Sequence, residues 1–217
     1  MAVAAVFLIS LSSCGGGRER TQPIRERASE VLGRLGSAIR QLAGQPEEEL
    51  APPKPIVLGD TQRGSLPPCR GMNTRSEALG PRRTSKVIKC LVDGVRPRAL
   101  RTNRKLVRTA SNHGRRMVEA RFFSHADPRT GARVSQRAKS SGYLQGARRG
   151  WAVGENLAWG RGVASTPASL VRAWLNSPGH RRNIMDRRWR ETGVSTTLGT
   201  PEGASGVTVV QVFGRRY

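Results

Sequence analysis

Two histidines and a glutamate stand out for what they could do together. His125 closes the run Phe122-Phe123-Ser124-His125. Glu155 lies in Gly154-Glu155-Asn156-Leu157-Ala158, which reads as a glycine-flanked turn. His180 ends Ser177-Pro178-Gly179-His180, with Asn183-Ile184 close behind. Ser177 can cap a helix whose first residue is Pro178, which puts His180 in the first turn. The positive end of a helix dipole disfavours imidazolium there and keeps the ring neutral. A neutral imidazole is what a metal ligand or a general base needs. Two such rings and a carboxylate could hold Zn²⁺ or another divalent ion with one position open. The same three groups could equally form a buried hydrogen-bond network that pins one element to another. Structural network, metal site (through His125 and His180) and catalysis all remain open at this point. No Ser-His-Asp or Cys-His arrangement, phosphate-binding loop or dinucleotide fingerprint is identifiable. His113 falls on an apolar stripe and reads as a core histidine. Trp174 reads as core, Trp151 and Trp159 as the wall of a groove, and Asn156 and Asn183 as loop-fixing residues.

The elements that must position these groups follow from periodicity. Val87, Ile88, Leu91, Val92 and Val95 form a helical stripe that ends near Pro97. Leu106, Ala110, His113 and Met117 mark a longer helix that stops at Phe122-Phe123. Asp127-Pro128-Arg129-Thr130-Gly131 is a turn, and residues 133–141 form a short helix. Thr166 caps a helix with Pro167 at its first position, burying Leu170, Val171, Trp174 and Leu175. The branched run Val207–Phe213 is a strand, with residues 191–198 as its partner and a Gly-rich connection at 199–206. Helices followed by strands give an α+β class.

Four motifs in this order, Phe-Phe-Ser-His, Gly-Glu-Asn-Leu-Ala, Trp-x-x-Ser-Pro-Gly-His-x-x-Asn-Ile and Glu191-Thr192-Gly193-Val194, resemble the bacterial branch of the CAP superfamily of cysteine-rich secretory, antigen and pathogenesis-related proteins. The resemblance covers roughly residues 69–217. It implies a three-layer α-β-α sandwich and a central cleft with two histidines and two acids, onto which His125, Glu155 and His180 map. The second acid of such a cleft stands three residues after the helix tryptophan. Here that position is Ser177, so the set is incomplete, and Glu191 is the acid that could enter from the next strand. Relatives of this kind bind sterols, lipids or proteins.

The chain has 217 residues and a formal net charge of +23, with 33 arginines among its 38 basic residues. The charge is uneven: residues 1–66 hold eight basic and seven acidic groups, residues 67–217 hold 30 and eight. Such a field attracts polyanions. Residues 1–14 read as an export signal whose Leu11-Ser12-Ser13-Cys14 end resembles a lipobox, making Cys14 the expected lipidation site. Residues 15–66 read as a tether containing an amphipathic stripe over 23–43 and a Pro-rich linker, and residues 67–217 as the domain. In an exported chain, Cys69 and Cys90 are most simply a disulfide. The expected protein is therefore an envelope-associated, lipid-anchored lipoprotein outside the cytoplasm. It binds an anionic envelope component, a lipid or a protein rather than turning over a substrate. The alternatives are a metal-dependent hydrolase at the His125/Glu155/His180 cleft and a nucleic-acid binder, the latter resting on charge alone and opposed by the export signal.

Overall fold

A computed structural model describes residues 65–217. The expected export signal, Cys14, the 23–43 stripe and the Pro-rich linker lie outside the described residues.

Two short helices lead in, α1 (Ser76–Leu79) and α2 (Pro81–Val95). Pro81 supplies the fixed φ suited to a first helical turn. The α2 stripe buries Val87, Ile88, Leu91 and Val92, and the helix ends before Pro97. The two-residue strand β1 (Arg101–Thr102) precedes α3 (Arg104–Glu119). Asn103 caps α3, its side chain accepting from the amides of Lys105 at 2.9 Å and Leu106 at 3.4 Å. At the other end, Phe122 N–H returns to Met117 O at 3.1 Å while Arg121 sits at φ 54°. That is a Schellman stop with an arginine where glycine is usual, and it turns Phe122–His125 back along the helix.

Next come α4 (Val134–Ser140), β2 (Trp151–Gly160), a single 3₁₀ turn at Gly162–Ser165, α5 (Pro167–Asn176), α6 (Pro178–Met185), β3 (Glu191–Leu198) and β4 (Val207–Arg216). Thr166 caps α5 through Ser169 N at 3.2 Å. Ser177 occupies the N-cap of α6, but its side chain makes no capping hydrogen bond.

The strands form one sheet in the order β1-β3-β4-β2, with β1 parallel to β3 and the other pairs antiparallel. On one face, α2 and α5 pack Ile88, Leu91, Leu170 and Trp174 with Val207, Val209 and Phe213. On the other, α3 and the residues around α4 pack Leu106, Ala110, Met117 and Tyr143 with Leu157, Val210 and Val212. The result is the three-layer α-β-α sandwich, with alternate β4 residues feeding opposite cores as a pleated strand requires. Each fully buried Leu or Ile contributes about 1.5–3 kcal/mol.

The expected glycine turn at Gly154–Ala158 is instead the middle of β2, paired residue for residue with β4. Gly154 is needed for packing: a Cβ there would stand 2.9 Å from the Trp189 ring. That ring in turn stacks on Phe213 at 5.9 Å.

Because β2 is an edge strand, its outward carbonyls need donors. Trp174 Nε1 donates to Leu157 O at 2.8 Å, and Asn183 Nδ2 donates to Glu155 O at 3.1 Å. Helices α5 and α6 are thereby stitched along the open edge. Cys69 and Cys90 form a disulfide that ties the segment before α1 to α2.

Candidate functional site: a carboxylate held between two faces of an edge strand

Glu155 projects from β2 onto the face that carries α3 and α4, beside Val212 of β4. It is 5 % exposed. An ionised carboxylate is tolerated at such a depth only when charge and hydrogen bonds surround it. Three side chains do so. Arg137 of α4 donates from one Nη to both oxygens at 2.9 and 2.8 Å. His125 Nδ1 lies 3.0 Å from Oε1. His113 Nε2 stands 4.0 Å from the same oxygen while donating to Ser124 O at 2.9 Å. That last bond fixes the proton on Nε2 and leaves Nδ1 buried without a partner among the described residues.

Burial alone would raise the Glu155 pKa. The hydrogen bond to His125 and the charge of Arg137 outweigh it, and the carboxyl titrates below its ordinary range. His113 is shifted down, first by burial and against the pull of Glu155.

His180 approaches from the other side of the strand. Asn156 Nδ2 donates to His180 O at 3.2 Å, and Asn183 Nδ2 donates to Asn156 Oδ1 at 3.0 Å. Arg96 then caps the far end of the helix, its guanidinium donating to Ile184 O and to Asp186 O, the latter at 2.9 Å. Cationic donors on the last carbonyls suit the negative end of the dipole. The His180 ring makes no hydrogen bond among the described residues. Burial, with the nearby His125 second, lowers its pKa to about 4. The ring therefore stays neutral at physiological pH, and burial contributes to this more directly than the helix terminus.

This neutrality has a measurable sign. Between about pH 4 and the unfolded value of about 6.5 the unfolded chain binds a proton that folded His180 does not. Stability should therefore fall as pH drops from 6.5 to 4, with His113 adding in the same direction. Thermal unfolding of His180→Gln should show a shallower decline across that window; an unchanged slope would remove His180 from the account.

Glu191 does not join this group. It sits on the same sheet face, but β4 lies between its strand and β2, and Glu191 pairs with Gly214 where Glu155 pairs with Val212. Two strand spacings of about 4.8 Å separate the two acids, besides the offset along the strands. Its own partners are Asn103 Nδ2 at 2.8 Å, Tyr143 OH at 2.7 Å, Arg216 at 3.5 Å and Arg101 at 4.0 Å. Burial would raise its pKa, but the hydrogen bonds from Asn103 and Tyr143 hold it down. Glycine at 214 permits this arrangement, since a Cβ there would lie 2.4 Å from the Tyr143 hydroxyl.

Glu155 is poorly placed to ligate a divalent cation, because Arg137 occupies both of its oxygens. His125 donates Nδ1–H to the same carboxylate, which leaves Nε2 as the ring's remaining acceptor. Among the described residues, no three His, Cys, Asp or Glu side chains converge as ligands. Ser177, at the position of the missing acid, offers no carboxylate. Arg137 is the participant that sequence reading missed. The only signal was a short helix with basic residues at 133, 137 and 139, and nothing local tells which of them turns inward.

Comparison with known proteins places this geometry in context. A family model described as "CAP: Cysteine-rich secretory protein family" matches residues 94–213. The uncharacterized protein YkwD of Bacillus subtilis (strain 168) is 28% identical over 147 residues, 64% of this chain and 53% of the relative. The chain thus spans about half the length of that curated relative. An outer surface protein from Borrelia burgdorferi superposes with a TM-score of 0.51 at 21% identity, covering 62% of this chain and 93% of its own. An extracellular protein containing an SCP domain from Bacillus anthracis str. Ames gives 0.49 at 23% identity, covering 63% and 41%.

Proposed function

Taking as premise that the chain belongs to the cysteine-rich secretory protein (CAP) family, we propose that it is an exported, envelope-associated binding module, anchored through Cys14, whose cleft is a structural lock rather than a reaction centre. The observation that carries this reading is the state of Glu155: buried, ionised and spent on Arg137 and His125. A general base must be free to take a proton, and a metal ligand must turn a lone pair to the ion. Glu155 would have to surrender a buried ion pair to do either.

The cysteine bridge supports export, because such bonds persist in oxidising compartments. The outer surface protein from Borrelia burgdorferi that shares the fold supports the same location. The partner is an anionic envelope component, supported by the 30 basic against eight acidic side chains of residues 67–217.

The competing reading is a metal-dependent hydrolase. The neutral His180 ring, without a hydrogen bond among the described residues and near enough to His125 to feel its charge, is the feature that favours it. Zinc separates the two. Full-length protein equilibrated with excess Zn²⁺ and then exhaustively dialysed should retain well under one equivalent. Stoichiometric zinc, abolished by His125→Ala and His180→Ala with little change in melting temperature, would replace the lock with an ion site.

A further inference from the structure

At the end of the sheet away from the β3–β4 connection lies a second recess. Its cavity of about 430 Å³ is lined by Arg101, Arg148, Arg149, Arg190, Arg216 and Glu191, with Gly146 and Tyr217 completing the wall. Five arginines and one glutamate thus line a single concavity. Glu191 is itself fully engaged with Asn103, Tyr143 and Arg216. Arg216 lies over the Tyr143 ring at 4.8 Å as well, so this inner arginine is held from two sides.

The outer arginines are differently placed. Arg190 rests one Nη on the carbonyls of Arg187 and Trp189, at 2.6 and 3.1 Å. Arg101 is 82 % exposed at its side chain, and its nearest carboxylate oxygen is 4.0 Å away. Arg148 and Arg149 are exposed and have no carboxylate partner among the described residues. The wall that carries them is nevertheless fixed. Arg149 N–H donates to Tyr217 O at 2.8 Å, and Tyr217 N–H donates to Gly150 O at 3.0 Å. The Tyr217 ring packs so closely on Gly150 that a Cβ there would stand 2.7 Å from it. The side chains of Arg148 and Arg149 are thus rooted on a fixed backbone beside the recess, and meeting an anion there costs them side-chain freedom but breaks no ion pair.

We propose that this recess binds a phosphate group of an extended phosphodiester polymer, with Arg148 and Arg149 as its principal donors and Arg101 beside them; the proposal rests on the reading of the protein as a binder of anionic envelope components. Three features choose the ligand. Five basic side chains against one acidic side chain ask for more negative charge than one carboxylate brings. The guanidinium fork matches two oxygens of a phosphate. The site is recessed, and a polymer's successive phosphates can enter it while the chain continues over the surrounding basic surface. A membrane would meet the rim instead. There, among the described residues, only two of the exposed large hydrophobic side chains, Trp151 and Tyr217, belong to the elements that frame this end of the sheet.

The test uses the full-length chain and three probes: a synthetic glycerol phosphate trimer, inorganic phosphate, and phosphatidylglycerol–phosphatidylcholine vesicles. Arg148→Gln/Arg149→Gln removes the proposed donors. Arg82→Gln/Arg83→Gln removes the same charge from exposed positions on α2, outside the recess. Neither pair touches the core, so melting temperatures serve as the folding control. Calorimetry should show the trimer binding the native chain, at least about tenfold weaker binding by the recess variant, and less than a twofold change in the α2 variant. Inorganic phosphate should bind more weakly than the trimer and lose affinity in the same variant. Equal losses from both pairs would overturn the recess while leaving the anionic partner in place. Binding of vesicles without binding of trimer would overturn the polymer in favour of a lipid headgroup. No binding of any probe by the native chain would overturn the recess together with the anionic partner on which it rests.

Discussion

Arg137→Met should cost about 3–5 kcal/mol of folding stability, the loss expected when one member of a buried ion pair is removed and the other charge stays behind. Arg137 is 12 % and Glu155 2 % exposed at their side chains. Methionine keeps much of the aliphatic volume, so the effect reports charge more than packing. Glu155 would then be left with His125, whose side chain is 42 % exposed, and with His113 at 4.0 Å. Its carboxyl would titrate at a higher pH than in the native protein. The native Glu155 pKa lies below its unfolded value, so its contribution is present above about pH 4.3 and is lost as pH falls through the folded value. In Arg137→Met the folded value moves up towards the unfolded one, so that acid loss should shrink. Urea unfolding at pH 7 measures the first effect, and its repetition at about pH 3.5, inside that window, measures the second. The double variant Arg137→Met/Glu155→Gln should recover part of the loss, with a coupling of about 1–3 kcal/mol. Additive single losses would mean that the pair is not the lock described here.

Removing the cross-link should have the next largest effect. Cys69→Ala/Cys90→Ala opens a loop with a sequence separation of 21. On the chain-entropy account this costs about 3 kcal/mol, a large share of the 5–15 kcal/mol typical of a domain. The bond joins a segment whose other ties are few. Met72 O accepts from Ala168 N–H at 2.9 Å, and Ser76 Oγ donates to Ser165 O. Without the bond, residues 65–75 rely on the Met72 carbonyl, the burial of Leu66, and the packing of Met72 on the core and of Pro67 on Gly94. Cys90 is solvent-exposed, so reductant has access. The urea midpoint of native protein should fall on adding dithiothreitol, and that of the alanine variant should not move. A native midpoint indifferent to reductant would contradict the assignment of stability to the bridge.

Much of this fold could be read before any coordinates. The stripes at Val87–Val95 and Leu106–Met117 and the Thr166-Pro167 cap all correspond to helices, and the branched run at 207–213 to a strand. Each signal is local: an i, i+3/i+4 spacing or a single capping residue. Strand β2 reads as a turn because its signals are tertiary. Gly154 looks like a turn former until Trp189 is seen lying against it, and Asn156 looks polar until it is found fully buried opposite Gln211. The site divides the same way. His125, Glu155 and His180 could be singled out by residue type and punctuation. Their neighbour Arg137 could not be, because which side of a short helix faces an acid depends on how the helix docks; His113 reads from its stripe as a core histidine, but its nearness to Glu155 does not. Glu191 could be placed on a strand, but its separation from Glu155 depends on strand order, which puts β4 between them.

The stitched border of the sheet has a consequence for crowded surroundings. An extended strand with free carbonyls is a template on which another chain can add a strand, and then another. Here Trp174 and Asn183 occupy two of those acceptors on β2, and the helices that carry them stand where an incoming backbone would lie. The same arrangement that holds Glu155 and His180 on either side of one strand therefore closes that strand to recruitment. Ten residues of continuous strand can sit at the margin of the sheet without inviting fibrous growth.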